Sequence, residues 1–274
     1  MQINFLLWIC IPIIVILLFC LFTLIVIFIL QRKRKKNEQA SFDYFSKIVH
    51  DLKTPIYAID GFTLLASKNL DQPNKVEEYL NKITNISHHM LALVKDVTDL
   101  SKINSDKLEI TKTIGNLIEI IDACLNNVEP QMLKRNIKFE KDVQILHPKV
   151  IADELHLNQV LTNLLSNAIK YTEPNGKISF TVEEQKLNDL TSTYIFKVKD
   201  TGYGMSEEFQ KHLFEPFAQE RALAHTDVES SGLGLFIVKK LIDKMNGKIE
   251  VTSKINEGSC FIVTLDLDIV ETYK

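Results

Sequence analysis

Phe45-Ser46-Lys47-Ile48-Val49-His50-Asp51-Leu52-Lys53-Thr54-Pro55 is the stretch from which the rest of the chain can be read. Phe45, Val49, Leu52, Ile56 and Ile59 recur at alternating spacings of four and three, which makes one apolar stripe on a helix. His50 falls just off that stripe, at the edge of a packed face. There an imidazole keeps one nitrogen in water while Asp51 accepts a hydrogen bond from the other, an arrangement for a nucleophile or a proton carrier. Pro55 has no N–H to give the carbonyl of Asp51, and its ring crowds that turn, so a kink or loosened turn beside His50 is expected. A histidine on a helix is ordinarily plain surface, and the decision rests on what surrounds it.

Outward from His50, the first helix spans Phe42 to about Lys68 and ends at Asn69-Leu70-Asp71-Gln72-Pro73-Asn74, a turn on composition. A second helix follows, because Val76, Tyr79, Ile83, Ile86, Met90, Leu93, Val97 and Leu100 repeat at spacings of three and four. Two long helices joined by a short turn make an antiparallel hairpin. Each stripe is too regular to be satisfied by one partner, so the hairpin is expected to form a homodimeric four-helix bundle. His88 and His89 lack the acid, threonine and proline that accompany His50, and they read as solvated surface.

Toward the N-terminus, residues 3 to 30 contain no charged side chain. A helix from Phe5 to Leu30 would rise about 39 Å, more than a hydrocarbon core of about 30 Å, so it spans a bilayer once and is too short to span it twice. No basic residue precedes the run and no small-residue cleavage site follows it, which favours an uncleaved anchor over a signal peptide. Arg32-Lys33-Arg34-Lys35-Lys36 should stay on the cytoplasmic side against anionic membrane lipid. With a net charge of −3 there is no basic surplus elsewhere, and nucleic acid is not an expected partner. Cys10 and Cys20 lie in the apolar run while Cys124 and Cys260 are far apart, so reduced structural cysteines are expected rather than a metal site. No sensor domain is expected before or just after the run, which the sequence flanks with about four and about ten residues. Input should therefore come through the membrane helix, where Pro12 can kink, through the bilayer, or through a partner membrane protein, with residues 32 to 42 helical and continuous with the hairpin.

From about Leu108 the periodicity changes to interleaved helices and strands. Asn116-Leu117-Ile118-Glu119 reads as a capping box opening a helix to about Leu133. Strands are expected at Lys138 to Val143, Lys177 to Glu183, Tyr194 to Lys199, Lys248 to Ser253 and Ser259 to Leu267. Helices are expected at Asp153 to Tyr171, Ser206 to Phe214 and Gly232 to Met245, the last closed by Asn246-Gly247. This is a mixed α/β domain, helices on one face of a largely antiparallel sheet.

Three features of that domain carry chemistry. Gln159, Asn163, Asn167 and Lys170 step by four, four and three into one polar stripe. A solvated face would use Glu and Lys rather than paired asparagines, which are poor helix formers. Amide oxygens with a lysine suit a cation bound to phosphate, since Mg²⁺ takes hard oxygen ligands and keeps several waters. Asp200-Thr201-Gly202-Tyr203-Gly204 follows a strand, so its carboxylate can accept from an amine such as that of adenine, although such a segment can also be only a turn. Ser230-Ser231-Gly232-Leu233-Gly234-Leu235 opens a helix and offers bare N–H groups to a phosphate.

In order and spacing these segments resemble the boxes of the membrane-anchored sensor histidine kinases of two-component signalling, over roughly residues 40 to 268. The His50 stretch is similar to the phosphoacceptor box, Leu157 to Thr172 to the asparagine box, and Lys199 to Met205 to the first glycine box. Leu213-Phe214-Glu215-Pro216-Phe217 resembles the phenylalanine box, and Ser231 to Leu235 the second glycine box. Val49 stands where a serine often precedes the histidine, Asp51 replaces the commoner glutamate, and Ser230 replaces the first glycine of its box. The first two keep the chemistry; the third bears on how freely a lid between Phe217 and Ser230, containing Arg221, His225 and Asp227, can move.

The resemblance implies a transmembrane anchor and basic flank over 1–31, a juxtamembrane linker over 32–41, a dimerising phosphotransfer hairpin over 42–106, and a catalytic domain over 107–270. The last would be a two-layer α/β sandwich of the Bergerat type. It implies ATP with Mg²⁺ on Asn163, and phosphates near Asn167, Lys170, Gly232, Leu233 and Gly234. Adenine would lie by Asp200, with Tyr171, Gly202 and Gly204 in the same boxes. His50 would attack the γ-phosphoryl group while Asp51 orients it and takes its proton, and Thr54 would hold a water for dephosphorylating a partner. The phosphoryl group would pass to the receiver domain of a separate response regulator, in the cytoplasm beneath a bacterial inner or plasma membrane. The rival readings are a scaffold or phosphatase that binds ATP poorly, and an ATPase of the same fold without phosphotransfer.

Overall fold

The computed structural model describes residues 48–105, 108–220 and 232–270. The apolar run, the basic cluster and the linker to residue 42 lie outside the described residues, as do Arg221, His225, Asp227, Ser230 and Ser231. Among the described residues no helix is long and apolar enough to cross a membrane. The chain divides into two compact units whose boundary, between Leu91 and Ala92, falls inside a helix.

The first unit is a helical hairpin. Helix α1, described over 48–68, runs through Pro55 without a break, so the loosened turn expected beside His50 is absorbed within a continuous helix. Helix α2 spans Pro73–Asn104. Pro73 and Asn74 therefore belong to the helix and not to the turn, because proline at the first helical position has its φ preset and needs no N–H. Gln72 closes the start by accepting from the N–H groups of Lys75 and Val76 at 3.0 and 3.1 Å. Phe62 stacks on Tyr79 with ring centroids 6.1 Å apart, and the Lys82 ammonium lies 5.3 Å above Phe62, which sets the helices side by side.

The second unit is a helix layer on a seven-stranded sheet. Its strands are β1 (Thr113–Asn116), β2 (Lys138–Gln144), β3 (Lys149–Ala152), β4 (Lys177–Lys186), β5 (Thr191–Asp200), β6 (Lys248–Lys254) and β7 (Gly258–Ile269). They run in the order β1-β3-β7-β5-β4-β2, with β6 alongside the first part of β7. Among the described residues only β2 and β4 pair in parallel. The helices are α3 (Leu117–Lys134), α4 (Glu154–Tyr171), α5 (Glu207–Gln210) and α6 (Gly234–Lys244), with α4 packed between α3 and α6 and lying on β5.

The core follows the period-two pattern. Tyr194, Phe196 and Val198 of β5, Ile178, Phe180 and Val182 of β4, and Phe261, Val263 and Leu265 of β7 are all buried. They meet Leu157, Leu161, Leu164 and Leu165 of α4, each at most 1 % exposed.

Two expected elements change. The helix expected over Ser206 to Phe214 shrinks to the single turn of α5, capped by Ser206, whose Oγ accepts from Phe209 N at 3.1 Å. Beyond it the N–H groups of Lys211, His212 and Glu215 donate three residues back, which makes successive turns in place of a helix. The helix expected from Gly232 begins at Gly234. Strands β1 and β3 were not expected at all; they pair with each other from Thr113↔Ala152 to Asn116↔Lys149.

Candidate functional site

Helix α4 positions most of the site. Its start is fixed by Asp153, 4 % exposed, whose Oδ1 accepts from His156 N at 3.0 Å and whose Oδ2 accepts from Thr111 N at 2.7 Å. The same Oδ2 lies 2.7 Å from His156 Nδ1. Burial pushes the Asp153 carboxyl up, but hydrogen bonds from His156 and Thr111 outweigh it, and the group ends below its usual value. At the far end the Thr172 hydroxyl donates to Ala168 O at 2.6 Å. Between these caps the apolar face is buried, while Gln159, Asn163, Asn167, Lys170 and Tyr171 are half-buried. A fully solvated stripe would be exposed, whereas this amide row is partly covered. The Lys170 ammonium sits 5.7 Å over the Tyr171 ring.

Asp200 ends β5 in register with Tyr194, Phe196 and Val198, so the alternation that builds the core also turns this carboxyl inward, 4 % exposed. Its Oδ1 accepts from Gly202 N at 2.8 Å and from Ser259 N at 3.2 Å. No bond from the described residues falls on Oδ2. Burial raises its pKa, opposed by those two N–H groups. Tyr203 N donates to Tyr171 O at 3.1 Å, which lays the glycine loop across the end of α4. A Cβ at Gly202 would fall on the Tyr171 carbonyl, so the close approach requires glycine there. The sequence did not single out Gly258 and Ser259. Gly258, at φ +92, brings its Cα against the Asp200 carbonyl and delivers the Ser259 N–H to the carboxylate, and its signal was only a Glu257-Gly258 turn.

Helix α6 opens the third part. Its N-cap residue Leu233 is buried and supplies no side-chain cap. No described atom lies within 4 Å of where a Cβ on Gly234 would stand, so that side of the first turn is open. Gly232, at φ +68, is held by Phe217 N donating to its carbonyl at 2.8 Å, and Gly204 sits at φ +66. The loop carrying Phe217 therefore supports the glycine turn, and α6 packs on α4. A buried carboxylate with one oxygen unbonded by the described residues, a half-buried amide row and a helix start without a side-chain cap among the described residues suit a purine nucleotide with its phosphates. Among the described residues no group of three or more His, Cys, Asp or Glu could hold a metal ion. A divalent cation would have to sit between amide oxygens and phosphate, which the α4 row allows. Burial pushes the Cys124 thiol up to about 11, with the Thr162 hydroxyl 3.4 Å away, so this cysteine is inert.

In the hairpin, His50 lies on α1 with its side chain 81 % exposed, and its Nδ1 is 3.3 Å from Asp51 Oδ1. With Nδ1 protonated toward Asp51, the lone pair resides on Nε2, in solvent. Thr54 is exposed one turn further on.

Two family models match the chain. Residues 152–269 match the histidine kinase-, DNA gyrase B- and HSP90-like ATPase, and residues 43–106 match the His Kinase A (phospho-acceptor) domain. The autoinducer 2 sensor kinase/phosphatase LuxQ of Vibrio parahaemolyticus is 33 % identical over 240 residues, 86 % of this chain and 27 % of that protein. The signal transduction histidine-protein kinase BarA of Escherichia coli K12 is 33 % identical over 244 residues, 86 % of this chain and 26 % of its own length. The chain thus spans about a quarter of the length of these curated relatives. The solved histidine kinase ThkA, in complex with response regulator protein TrrA, matches with a TM-score of 0.63 at 29 % identity, covering 88 % of this chain and 66 % of that one.

Proposed function

Since this chain belongs to the sensor histidine kinases by its phosphoacceptor hairpin and its ATPase domain, we propose that it transfers the γ-phosphoryl group of ATP to His50 and then to an aspartate of a separate response regulator. The observation that carries the proposal is the pairing of His50 Nδ1 with Asp51 on an exposed helix face, which leaves Nε2 as the nucleophile. Asp51 orients the ring and takes up its proton. Asp200 accepts the exocyclic amine of adenine through Oδ2, Lys170 and Asn167 face the phosphates, and the first turn of α6 offers its N–H groups to them. A bound Mg²⁺ would neutralise phosphate charge as the phosphoryl group departs. Asn163, with Asn167 one turn on, would hold it.

The relatives' name as kinase/phosphatase supports a second activity toward the regulator, with Thr54 holding the attacking water. Exposed Ile56, Leu64, Leu80 and Leu91 on the hairpin support a homodimer. The uncharged run over residues 3 to 30 and the five cations after it support a single-pass anchor in a bacterial membrane, with the kinase on the cytoplasmic side. Signal would enter through that helix, the bilayer or a partner membrane protein.

Incubation with γ-labelled ATP tests the central step. Label that is acid-labile and base-stable, and absent in His50→Gln, is the expected result. Free phosphate alone would mark an ATPase, and neither product a scaffold. Asn163→Ala should abolish Mg²⁺-dependent labelling while the dimer persists, and Thr54→Ala should lose regulator dephosphorylation while autophosphorylation persists.

A further inference from the structure

Ile249, Val251 and Ser253 are the covered positions of β6, so a hydroxyl stands at its end where the period of two calls for another apolar side chain. The capacity of that hydroxyl is fully used. Ser253 Oγ accepts from Met205 N at 2.9 Å, donates to Gly258 O at 2.9 Å and lies 2.9 Å from Ser259 Oγ. A serine hydroxyl has one proton and two lone pairs, so with the proton on Gly258 the Ser259 hydroxyl donates to Ser253, and no capacity is left for a ligand. Ser253 therefore acts on a nucleotide only through what it holds.

What it holds is one peptide plane. Gly258 O and Ser259 N belong to the same peptide unit, and in a trans unit the C=O and the N–H point in opposite directions. The Ser253 hydroxyl grips one end of this plane, and the other end is the N–H that reaches Asp200 Oδ1 at 3.2 Å. Gly258 sits at φ +92, and a Cβ there would fall on the Asp200 carbonyl, so the approach demands glycine. The same freedom lets the plane swing at little cost, and its orientation needs a fastening outside the glycine. Through Met205 N the same oxygen also ties the end of the loop whose Gly202 N supplies the second donor to Oδ1, at 2.8 Å. Both donors that fix Oδ1 thus depend on one hydroxyl.

We propose that Ser253 is a positioning residue for purine recognition, which holds the 258–259 peptide and the glycine loop so that Asp200 presents Oδ2 to the 6-amino group of adenine. The proposal rests on the kinase reading and adds to it a source of selectivity against purines that lack this amine. Without the hydroxyl the plane swings, the Ser259 N–H leaves Oδ1, and the carboxyl turns about its broad terminal torsion. The amine then loses a fixed acceptor.

The test uses the full chain with Ser253→Ala and Ser253→Thr, and two probes: ATP, and the triphosphate of purine riboside, which carries hydrogen in place of the 6-amino group. The alanine variant keeps the β6–β7 hairpin against the glycine loop, because Asn256 N donates to Tyr203 O at 2.7 Å and Gln210 Nε2 reaches Ser253 O at 3.0 Å and Met205 O at 3.1 Å. Its affinity for ATP should fall about tenfold, the scale of one hydrogen bond to a charged group, while its affinity for the analogue changes by less than about twofold. Ser253→Thr keeps the hydroxyl and should bind both nucleotides within about twofold of the parent. Equal losses for the two nucleotides, an unchanged affinity for ATP, or Ser253→Thr as weak as Ser253→Ala would each overturn the proposal. Amide exchange without nucleotide reads the fastening directly: the Ser259 N–H should exchange faster in Ser253→Ala, and unchanged exchange overturns the role of Ser253 whether or not the chain binds ATP. A parent chain that binds neither nucleotide overturns the kinase reading, and the recognition proposed here with it.

Discussion

Two carboxylates in the ATPase domain, Asp153 at the start of α4 and Asp200 at the end of β5, are each 4 % exposed, yet they titrate in opposite directions. Asp153 has both oxygens engaged, by two backbone N–H groups and the His156 ring, and is held below its ordinary value. Asp200 receives two N–H groups on one oxygen, and burial keeps it above its ordinary value. Both are shielded from solvent, but Asp200 lies the deeper of the two and receives fewer donors from the fold, and both differences push its carboxyl the other way. A carboxylate fully satisfied by its own chain is holding structure together. One whose second oxygen receives no donor from the described residues has an acceptor to offer, which makes sense when a ligand supplies the donor.

The largest test of that difference is Asp200→Asn. The amide oxygen can keep the bonds to Gly202 and Ser259, but Nδ2 then presents a donor where adenine presents its own. ATP affinity should fall about a hundredfold, the loss of a charge-assisted hydrogen bond plus a donor–donor clash. The fold should not suffer. Because the folded-state pKa is raised, the stabilising form is the protonated one; its contribution is present below the unfolded value and is lost as pH rises through the folded value. At pH 7 the ionised group is a burden that the neutral amide removes, so the melting temperature should hold or rise. A melting temperature lowered together with affinity would make Asp200 a structural residue like Asp153.

Asp153→Ala should show the reverse pattern. It removes the N-cap of α4 and orphans Thr111 N, together about 2 kcal/mol of stability by urea titration. Affinity for ATP should change only as far as α4 frays. A loss of binding as large as that of Asp200→Asn, without a comparable loss of stability, would break the distinction.

The sequence exposed these two residues unequally. Asp200 stood out because a strand and two glycines flank it, which is local information. Asp153 was read only as the start of a helix, since its partner Thr111 lies 42 residues away. Long, strongly periodic elements such as α2, α4 and β5 were legible for the same reason, as was the Asn116 cap, which accepts from Ile118 N at 3.0 Å and donates to Glu119 at 2.9 Å. β1 and β3 were not, because four residues each, one with a glycine inside, become strands only by pairing with one another. The turns after α5 escaped as well: Phe217 takes φ +61 because its N–H is committed to Gly232, a contact no local pattern shows. The hydrogen bond from Gln159 Nε2 to Asp99 Oδ2 spans 60 residues, and the polar stripe gave Gln159 no partner.

The smallest expected effect is also the most specific, and it concerns the pH dependence of Asp153. Its folded-state pKa is depressed, so the carboxylate contributes stability that is fully present above the unfolded value of about 3.9 and is lost as pH falls through the folded value. Asp153→Asn keeps one acceptor for the start of α4 and cannot ionise. The stability difference between the parent chain and this variant should therefore shrink as pH falls through that folded value. Asp200→Asn against the parent should drift the other way: the variant's advantage is largest at neutral pH and fades as acid neutralises the Asp200 carboxyl. Urea denaturation of the three proteins at four or five pH values between 3 and 7 measures both differences at once. Parallel curves would mean that the two carboxylates share one environment, and the division between a residue that holds the fold and a residue that awaits a ligand would be lost.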